Sequence, residues 1–197
     1  AFWMNPLTTS HDEKGKLTIY PWPEEVYWGN PLQRTLADSK DKSYKIFTNN
    51  YLNIAFPFAP GLSYKLNTGI EYTNRERATY YGRDTKIGLE DQGNSDTRNA
   101  VGTNMVIENI LNYQRQFNKH NIFVTGLYSY QNDKYEEHRL QAQGFPNDVL
   151  TWYQANVGNL VEPSYSFRDY TILSAMLRLN YSFDQRYLLT LTGRRDG

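Results

Sequence analysis

The sequence has 197 residues, and its 21 basic side chains balance 21 acidic ones. A neutral chain lacks the basic surface that a general nucleic-acid binder needs, so we expect no nucleic-acid partner. The sequence contains no cysteine, which excludes disulfide bonds and thiolate metal sites.

Residues 1–43 carry several prolines and aromatic side chains without a regular hydrophobic period. This composition predicts an irregular external loop region. Loop regions lie at protein surfaces and often carry function. Trp22 and Trp28 therefore either pack on a scaffold or contact a ligand, and both are candidate ligand contacts.

After the first 43 residues, apolar and polar side chains alternate in pairs of segments joined by short turns, which predicts β-hairpins. The last hairpin is the clearest, because a three-residue turn pairs Phe183 with Tyr187 and Leu179 with Leu191. One face is then apolar and the other polar, and a slip by one residue would mix them. The pattern predicts three hairpins in all, with strands at about 44–58, 62–75, 105–117, 121–131, 170–183 and 187–197.

The middle hairpin needs a turn with an even number of residues, because the apolar positions of its two strands have opposite parity. A two-residue turn at 119–120 and a four-residue turn at 118–121 would both pair Phe117 with Ile122. We favour the four-residue turn, since Lys-His suits a type I′ turn poorly.

Two polar segments, 76–104 and 132–168, connect the hairpins and are predicted to be long external loops. Loops of this length are commonly functional or mobile. A short helix is predicted at 146–155, where a proline and an aspartate suit the first turn. Flat aromatic rings in such loops contact sugar faces or peptide side chains, or alternatively pack the loops and meet a partner protein. The candidate ligand contacts of the two loops are Tyr80, Tyr81, Arg83, Trp152 and Tyr153.

The predicted short turns all fall at one end of the hairpins, with the long loops at the other and aromatic residues beside the turns. This arrangement is typical of an outer-membrane β-barrel, whose strands need only about 10 residues each to cross the bilayer. Polar faces that include Lys65 and Glu108 need water, which a barrel lumen supplies. The predicted fold class is all-β, an antiparallel up-and-down meander that forms part of a transmembrane β-barrel. A soluble carbohydrate-binding β-sandwich with its polar face outward is the alternative.

Residues 178–197, RLNYSFDQRYLLTLTGRRDG, resemble a motif of the SusC/RagA-like, TonB-linked outer-membrane transporters. Residues 108–131 and 144–148 are similar to further segments of the same family. The resemblance implies a barrel of about 22 strands, closed by an N-terminal plug. It also implies a location in the bacterial outer membrane.

The function that the resemblance implies is TonB-dependent import of oligosaccharides or oligopeptides. The implied partners are a SusD/RagB-like surface lipoprotein, outer-membrane lipid, and TonB acting through an N-terminal part that precedes this chain. The chain starts without a signal peptide and stops within a predicted strand, so we expect a fragment of a longer protein.

No set of residues in the sequence predicts catalysis, metal binding or a cofactor. His11, His120 and His138 lie far apart in the sequence, and none belongs to a metal-ligand motif such as H-E-x-x-H. We therefore expect no enzyme activity, no metal and no cofactor. An outer-membrane enzyme barrel that acts on a lipid or a peptide stays open as an alternative.

Overall fold

The computed structural model describes residues 8–22, 24 and 26–197. The parts of the predicted loop region at 1–7, 23 and 25 lie outside the described residues. The main feature is a six-stranded sheet in which the strands pair in sequence order. These strands are β1 (Asp38–Ala55), β2 (Leu62–Tyr81), β3 (Asn94–Phe117), β4 (His120–Gln143), β5 (Leu160–Phe183) and β6 (Tyr187–Asp196).

The sheet confirms the predicted all-β, antiparallel up-and-down meander. Each strand pairs with the next one along the chain, whereas a β-sandwich divides its strands between two packed sheets. The helices are short: α1 (Lys86–Glu90) and two 3-10 helices, Pro31–Leu36 and Thr151–Val157. Across the described ranges, no helix has the length and apolar composition that a membrane span requires.

Strands β2 to β5 are longer than predicted, at 20 to 24 residues each. The predicted loops 76–104 and 132–168 are therefore wrong in extent, and the connections span 82–93 and 144–159. The error arises because apolar alternation was the signal for a strand, and the additional strand residues are mostly polar. Backbone N–H and C=O groups pair between strands whether the side chains are polar or apolar, so the polar segments can extend the strands.

Cross-strand side-chain contacts support these polar strand ends. The Nζ atom of Lys40 on β1 lies 2.8 Å from a carboxylate oxygen of Glu76 on β2. The hydroxyl of Thr97 on β3 donates to the Leu140 carbonyl on β4 at 3.3 Å. As a result β1 already begins at Asp38, within the region predicted to be irregular.

The last hairpin has the register that its two-faced sequence predicts. Phe183 lies opposite Tyr187, and Leu179 lies opposite Leu191. The two residues that follow Phe183 have φ angles of 50° and 54°, so the three-residue turn uses the left-handed region twice. A hairpin with one apolar and one polar face tolerates a single register, and this confirms the predicted pairing.

The turn of the middle hairpin differs from the prediction. It consists of Asn118 and Lys119 alone, because β3 ends at Phe117 and β4 begins at His120. Asn118 has a φ angle of 51°, and asparagine tolerates this left-handed conformation better than most residues. The rings of Phe117 and His120 stack with centroids 5.1 Å apart. The turn therefore has the predicted even number of residues, but it is a two-residue turn at 118–119 and not the four-residue turn at 118–121.

The chain divides into two compact units. Unit 1 comprises residues 1–43, 74–100 and 137–166, and unit 2 comprises residues 44–73, 101–136 and 167–197. The long connections and the described helices belong to unit 1, whereas the three tight turns belong to unit 2. The second 3-10 helix, Thr151–Val157, replaces the helix predicted at 146–155.

Unit 1 contains a small hydrophobic core. The long connections fold so that four side chains are buried and two more pack against them. These six side chains are Tyr80, Ala142, Phe145, Ala155, Leu140 and Trp152. The two connections therefore have a defined conformation and are not free loops.

Hydrogen bonds connect the tight turns of unit 2 to neighbouring elements. The Gly61 carbonyl accepts from the Gln114 N–H at 2.8 Å. The Lys119 carbonyl accepts from the Asp184 N–H at 2.8 Å, and the side chains of these two residues form an ion pair at 3.3 Å. Each of these turns is thereby fixed to the strand or turn beside it.

Replacing Gly61 with alanine should destabilise the protein. Gly61 has a φ angle of 90°, and a Cβ atom there would lie 1.9 Å from the Gln114 carbonyl oxygen. The left-handed conformation alone costs a residue with a Cβ about 1–2 kcal/mol, and the backbone contact adds to that cost. We expect Gly61→Ala to lower the denaturant midpoint of unfolding. Gly126→Ala is the matched control, since a Cβ there meets nothing within 4 Å, and equal midpoints for the two variants would contradict this account.

Candidate functional site

Tyr80 lies at the end of β2 and is buried, with 2% of its surface exposed. Its ring packs edge-on against Phe145, with centroids 5.3 Å apart, and its hydroxyl donates to Asp148 at 2.8 Å. Burial raises the pKa of the Tyr80 hydroxyl, and the hydrogen bond to the Asp148 carboxylate raises it further. The prediction that Tyr80 is exposed is wrong, because its ring belongs to the core of unit 1, and its contact with a ligand stays a prediction.

Arg83 links the two long connections, 82–93 and 144–159, through hydrogen bonds and an ion pair. Its guanidinium pairs with the carboxylate of Asp148 and donates to the carbonyl of Phe145. It also donates to the Gln92 carbonyl at 3.2 Å, while its backbone N–H donates to Asp148 at 3.1 Å. The structure therefore gives Arg83 a scaffolding role, and contact with a ligand stays a prediction.

A cavity of about 590 Å³ opens beside the 3-10 helix Thr151–Val157, and we call it the Trp152 pocket. Trp152 and Tyr153 line it from the helix, with ring centroids 5.5 Å apart. His138 on β4 and Tyr165 on β5 line it from the sheet, with centroids 4.7 Å apart. Two of the predicted contact residues thus share a pocket with two residues that sequence reasoning missed.

The Trp152 pocket combines a fixed wall with an exposed one. Trp152 packs against the buried core of unit 1, so its ring is held in place. Tyr153, by contrast, is 74% exposed. Thr97 and Asn99 on β3 add polar groups to the lining. This mixture of ring faces and a few polar groups is the composition expected of a small-molecule site.

The charged side chains at the pocket are paired with one another. Asp96 accepts hydrogen bonds from Arg98 and Arg139, the shortest at 2.9 Å and 2.6 Å. Burial alone would raise the pKa of Asp96, but the hydrogen bonds from the two guanidinium groups outweigh it and lower the pKa to about 2. Asp96 therefore stays ionised at any physiological pH.

A second cavity, of about 630 Å³, is lined by the predicted contacts Trp28 and Tyr81. The buried Gln33 organises it, because its amide donates to the Ile19 carbonyl at 2.6 Å and accepts from the Lys86 N–H at 2.7 Å. The ring of Trp28 is 53% exposed. The structure thus brings two of the predicted residues together.

The last predicted contact, Trp22, is 40% exposed and lines neither of these two cavities. A metal centre is not indicated either: in the part of the chain that the structure describes, no three His, Asp or Glu side chains come together as ligands.

The signal that would have found the pocket residues His138 and Tyr165 is strand pairing. Both lie in the segment predicted to be a loop, so their common face could not be assigned from sequence.

No protein-family model matches the chain. Its sequence is similar to TonB-dependent receptors of Formosa agariphila. Receptor P39 is 33% identical over 177 residues, which are 85% of this chain and 16% of that receptor. Receptor P3 is 28% identical over 198 residues, which are 100% of this chain and 20% of that receptor. The chain therefore spans about a fifth of the length of these relatives.

The fold is similar to solved structures of the RagAB peptide transporter. In one of them the TM-score is 0.78 at 21% sequence identity, with 95% of this chain and 21% of that chain covered. In the RagAB peptide importer in its open-open state, the TM-score is 0.75 at 20% identity, with the same coverage. At this level of identity the likeness concerns the fold alone.

The sequential antiparallel meander and these structural neighbours define the chain as a stretch of outer-membrane-type β-barrel wall. Its sequence is similar to those of TonB-dependent receptors and its fold to that of the RagAB peptide transporter, which confirms the predicted resemblance to the SusC/RagA-like, TonB-linked family.

Acidification should weaken unit 1 through Asp96. A carboxyl group with a folded pKa of about 2 and an unfolded pKa of 3.8 contributes stability above pH 3.8, and this contribution is lost as pH falls towards 2. The full contribution is on the order of 2 kcal/mol. We expect Asp96→Asn to lower the denaturant midpoint at neutral pH and to flatten its fall between about pH 5 and pH 2.

The matched control is Asp38→Asn, which removes an exposed carboxylate at the start of β1. This variant should retain the acid dependence of the parent protein. If Asp96→Asn shows the same fall with pH as the parent, the two ion pairs of Asp96 do not carry the acid sensitivity.

Proposed function

We propose that this chain forms a segment of the wall of a TonB-dependent nutrient importer in the bacterial outer membrane. The observation that carries the proposal is the match to TonB-dependent receptors over 85% to 100% of the chain. The fold shared with the RagAB peptide transporter supports it. These relatives and neighbours are receptors and transporters, which favours transport over catalytic turnover.

The hairpins of unit 2 suit a wall between lipid and water. Along β3, residues three positions apart point to opposite faces of the strand, so Leu111 and Gln114 lie on different faces. Leu111 is 48% exposed in the described chain, as expected for a side chain that meets lipid. A crossing needs only about 10 residues of each strand, and β1 to β5 have 18 to 24. The remaining residues of each strand extend the proposed barrel wall beyond the bilayer.

The proposed substrates are oligosaccharides or oligopeptides. Two cavities in unit 1 carry tryptophan and tyrosine rings, which suit flat sugar faces and peptide side chains alike. The neighbour RagAB is described as a peptide transporter, which supports the peptide class. The proposed partners are a SusD/RagB-like surface lipoprotein, outer-membrane lipid, and TonB, and no cofactor is required.

Uptake tests this function directly. Deleting the TonB-contact segment of the full-length protein should abolish energised uptake of a labelled oligosaccharide or oligopeptide and leave binding in detergent intact. An outer-membrane enzyme barrel would instead convert its substrate with or without that segment. A full-length protein that is monodisperse without detergent would exclude the membrane location and favour the soluble alternative.

A charge on the proposed lipid face should block assembly into a membrane. Arginine on the lipid face costs about 2–4 kcal/mol at the bilayer midplane and much less near the interfaces. We therefore expect Leu111→Arg to reduce the heat-resistant folded fraction in lipid vesicles strongly. Asn112→Arg places the same charge at the adjacent residue, on the opposite face of β3 and at nearly the same depth, and should fold like the parent. Equal folded fractions for the two variants would contradict the assigned faces.

A further inference from the structure

We propose that the tight-turn end of unit 2 binds the phosphate headgroup of an anionic glycerophospholipid, with Arg115 as the phosphate ligand. Arg115 is exposed and lies two residues before the end of β3. The inference rests on the proposed wall function, to which it adds a lipid class and a binding site. Three observations carry it: the face on which Arg115 lies, its available N–H donors, and the charges and rings around it.

Arg115 lies on the apolar face of β3. Alternate residues of a strand share a face, so Arg115 shares the face of Leu111 and Phe117. On the opposite face, the Asn112 amide oxygen accepts from the Thr125 hydroxyl of β4 at 2.9 Å, which marks that face as the polar one. A cation therefore lies on the face that we assign to lipid.

The position of Arg115 along the strand suits the boundary between hydrocarbon and headgroups. It is four residues nearer the turn than Leu111, a displacement of about 13 Å along the strand. The hydrocarbon core extends about 15 Å to each side of the bilayer midplane. A long arginine side chain can keep its methylene stem on apolar surface while its guanidinium reaches the headgroups. A charge on the lipid face costs little at that depth.

The guanidinium of Arg115 has N–H donors available for a ligand. Within residues 8–22, 24 and 26–197, no carboxylate pairs with Arg115, and its guanidinium donates to the Tyr113 hydroxyl at 3.4 Å. A guanidinium carries five N–H donors, so one long hydrogen bond leaves most of them for a ligand. Their planar fork matches the oxygens of a phosphate group.

The three tight turns and the strand ends beside them carry more cations than carboxylates. They comprise the ranges 54–64, 115–122 and 181–189. Lys119 and Arg186 lie 3.3 Å and 3.9 Å from the carboxylate of Asp184, which is the only carboxylate in these ranges. Arg115 adds a third cation. This excess of positive charge favours an anionic headgroup over a zwitterionic one.

The rings on the same face suit the level of the headgroups. Phe117 is 46% exposed and stacks on His120, whose Nδ1 atom lies 2.6 Å from the Tyr181 hydroxyl oxygen. Tyr187, at the start of β6, is 70% exposed. Rings with a polar tip favour the membrane–water interface. A phosphate at Arg115 would therefore lie beside rings that hold the interface at this depth.

The membrane side selects the lipid. Short turns of outer-membrane barrels lie at the periplasmic surface, where the leaflet consists of glycerophospholipids. Such a lipid offers a phosphate to Arg115 and acyl chains to the apolar face that continues towards Leu111. A free phosphate ion would make the first contact without the second, so we expect it to bind more weakly.

Native mass spectrometry of the full-length protein in detergent tests this site. The probes are dioleoyl phosphatidylglycerol, dioleoyl phosphatidylcholine and inorganic phosphate, and the measured quantity is the apparent Kd of the first lipid bound. We expect phosphatidylglycerol to bind more tightly than phosphatidylcholine and to stay bound in millimolar inorganic phosphate. Equal affinity for the two lipids, or displacement by inorganic phosphate, would overturn the proposal.

Variants locate the lipid at Arg115. Because Arg115 is exposed, its replacement retains the fold, and Arg115→Gln should weaken phosphatidylglycerol binding about fivefold. Arg115→Lys keeps the charge but loses the planar fork, so it should weaken binding by a smaller factor.

Lys65→Gln is the matched control, because it removes a cation three residues from the turn end of β2. Lys65 shares the polar face with Asn67, whose amide donates to Glu108 on β3 at 3.1 Å. This variant should leave the affinity for phosphatidylglycerol unchanged. Parent-like affinity in Arg115→Gln, or equal losses in Arg115→Gln and Lys65→Gln, would overturn the proposal.

A parallel uptake assay separates failure of the lipid site from failure of the importer. If uptake depends on the TonB-contact segment while Arg115→Gln binds phosphatidylglycerol like the parent, the lipid site is refuted and the importer stands. If Arg115→Gln alone loses phosphatidylglycerol while uptake is independent of that segment, the importer is refuted and the lipid site stands.

Discussion

Antiparallel strand pairing is the constraint on which the rest of this structure depends. Side chains alternate between the two faces at every residue, so one register decides the surroundings of a whole strand. In unit 2 the alternation separates an apolar face from a polar one. In unit 1 it separates the guanidinium groups around Asp96 from Thr97 and Asn99 at the Trp152 pocket. Side-chain alternation therefore arranges both the two faces of the hairpins in unit 2 and the lining of the Trp152 pocket in unit 1.

The carboxylate of Asp148 holds the two long connections together through several hydrogen bonds. Asp148 accepts from the Tyr80 hydroxyl, from the Arg83 backbone N–H and from the Arg83 guanidinium. Hydrogen bonds to an ionised acceptor are roughly twice as strong as neutral ones, and a network in a partly buried place strengthens each of its members. The hydrogen bonds between Arg83 and Asp148 link the connection 82–93 to the connection 144–159, which carries Trp152.

The sequence was sufficient where the determinants are local and two-faced. The register of the last hairpin follows from the apolar residues Leu179 and Leu191 and was predicted correctly. The polar ends of β2 to β5 carry no apolar period, so their extent could not be read from sequence. The middle turn has the even number of residues that the pairing argument requires, but its position depends on the left-handed conformation of Asn118, which the apolar pattern does not indicate. Tyr80 was placed at the surface because its burial depends on Phe145, 65 positions further along the chain.

The site shows the same division between local and distant determinants. Trp152 and Tyr153 are neighbours in sequence, so their position together in one connection could be predicted, although the packing of Trp152 against the core could not. His138 and Tyr165 become neighbours only through the pairing of β4 with β5, which brings their rings to 4.7 Å. A site assembled in this way shares its contacts among several ring faces and hydrogen bonds, each worth about 1 kcal/mol. Such a distribution gives modest affinity, which suits the proposed import function because an importer must release whatever it binds.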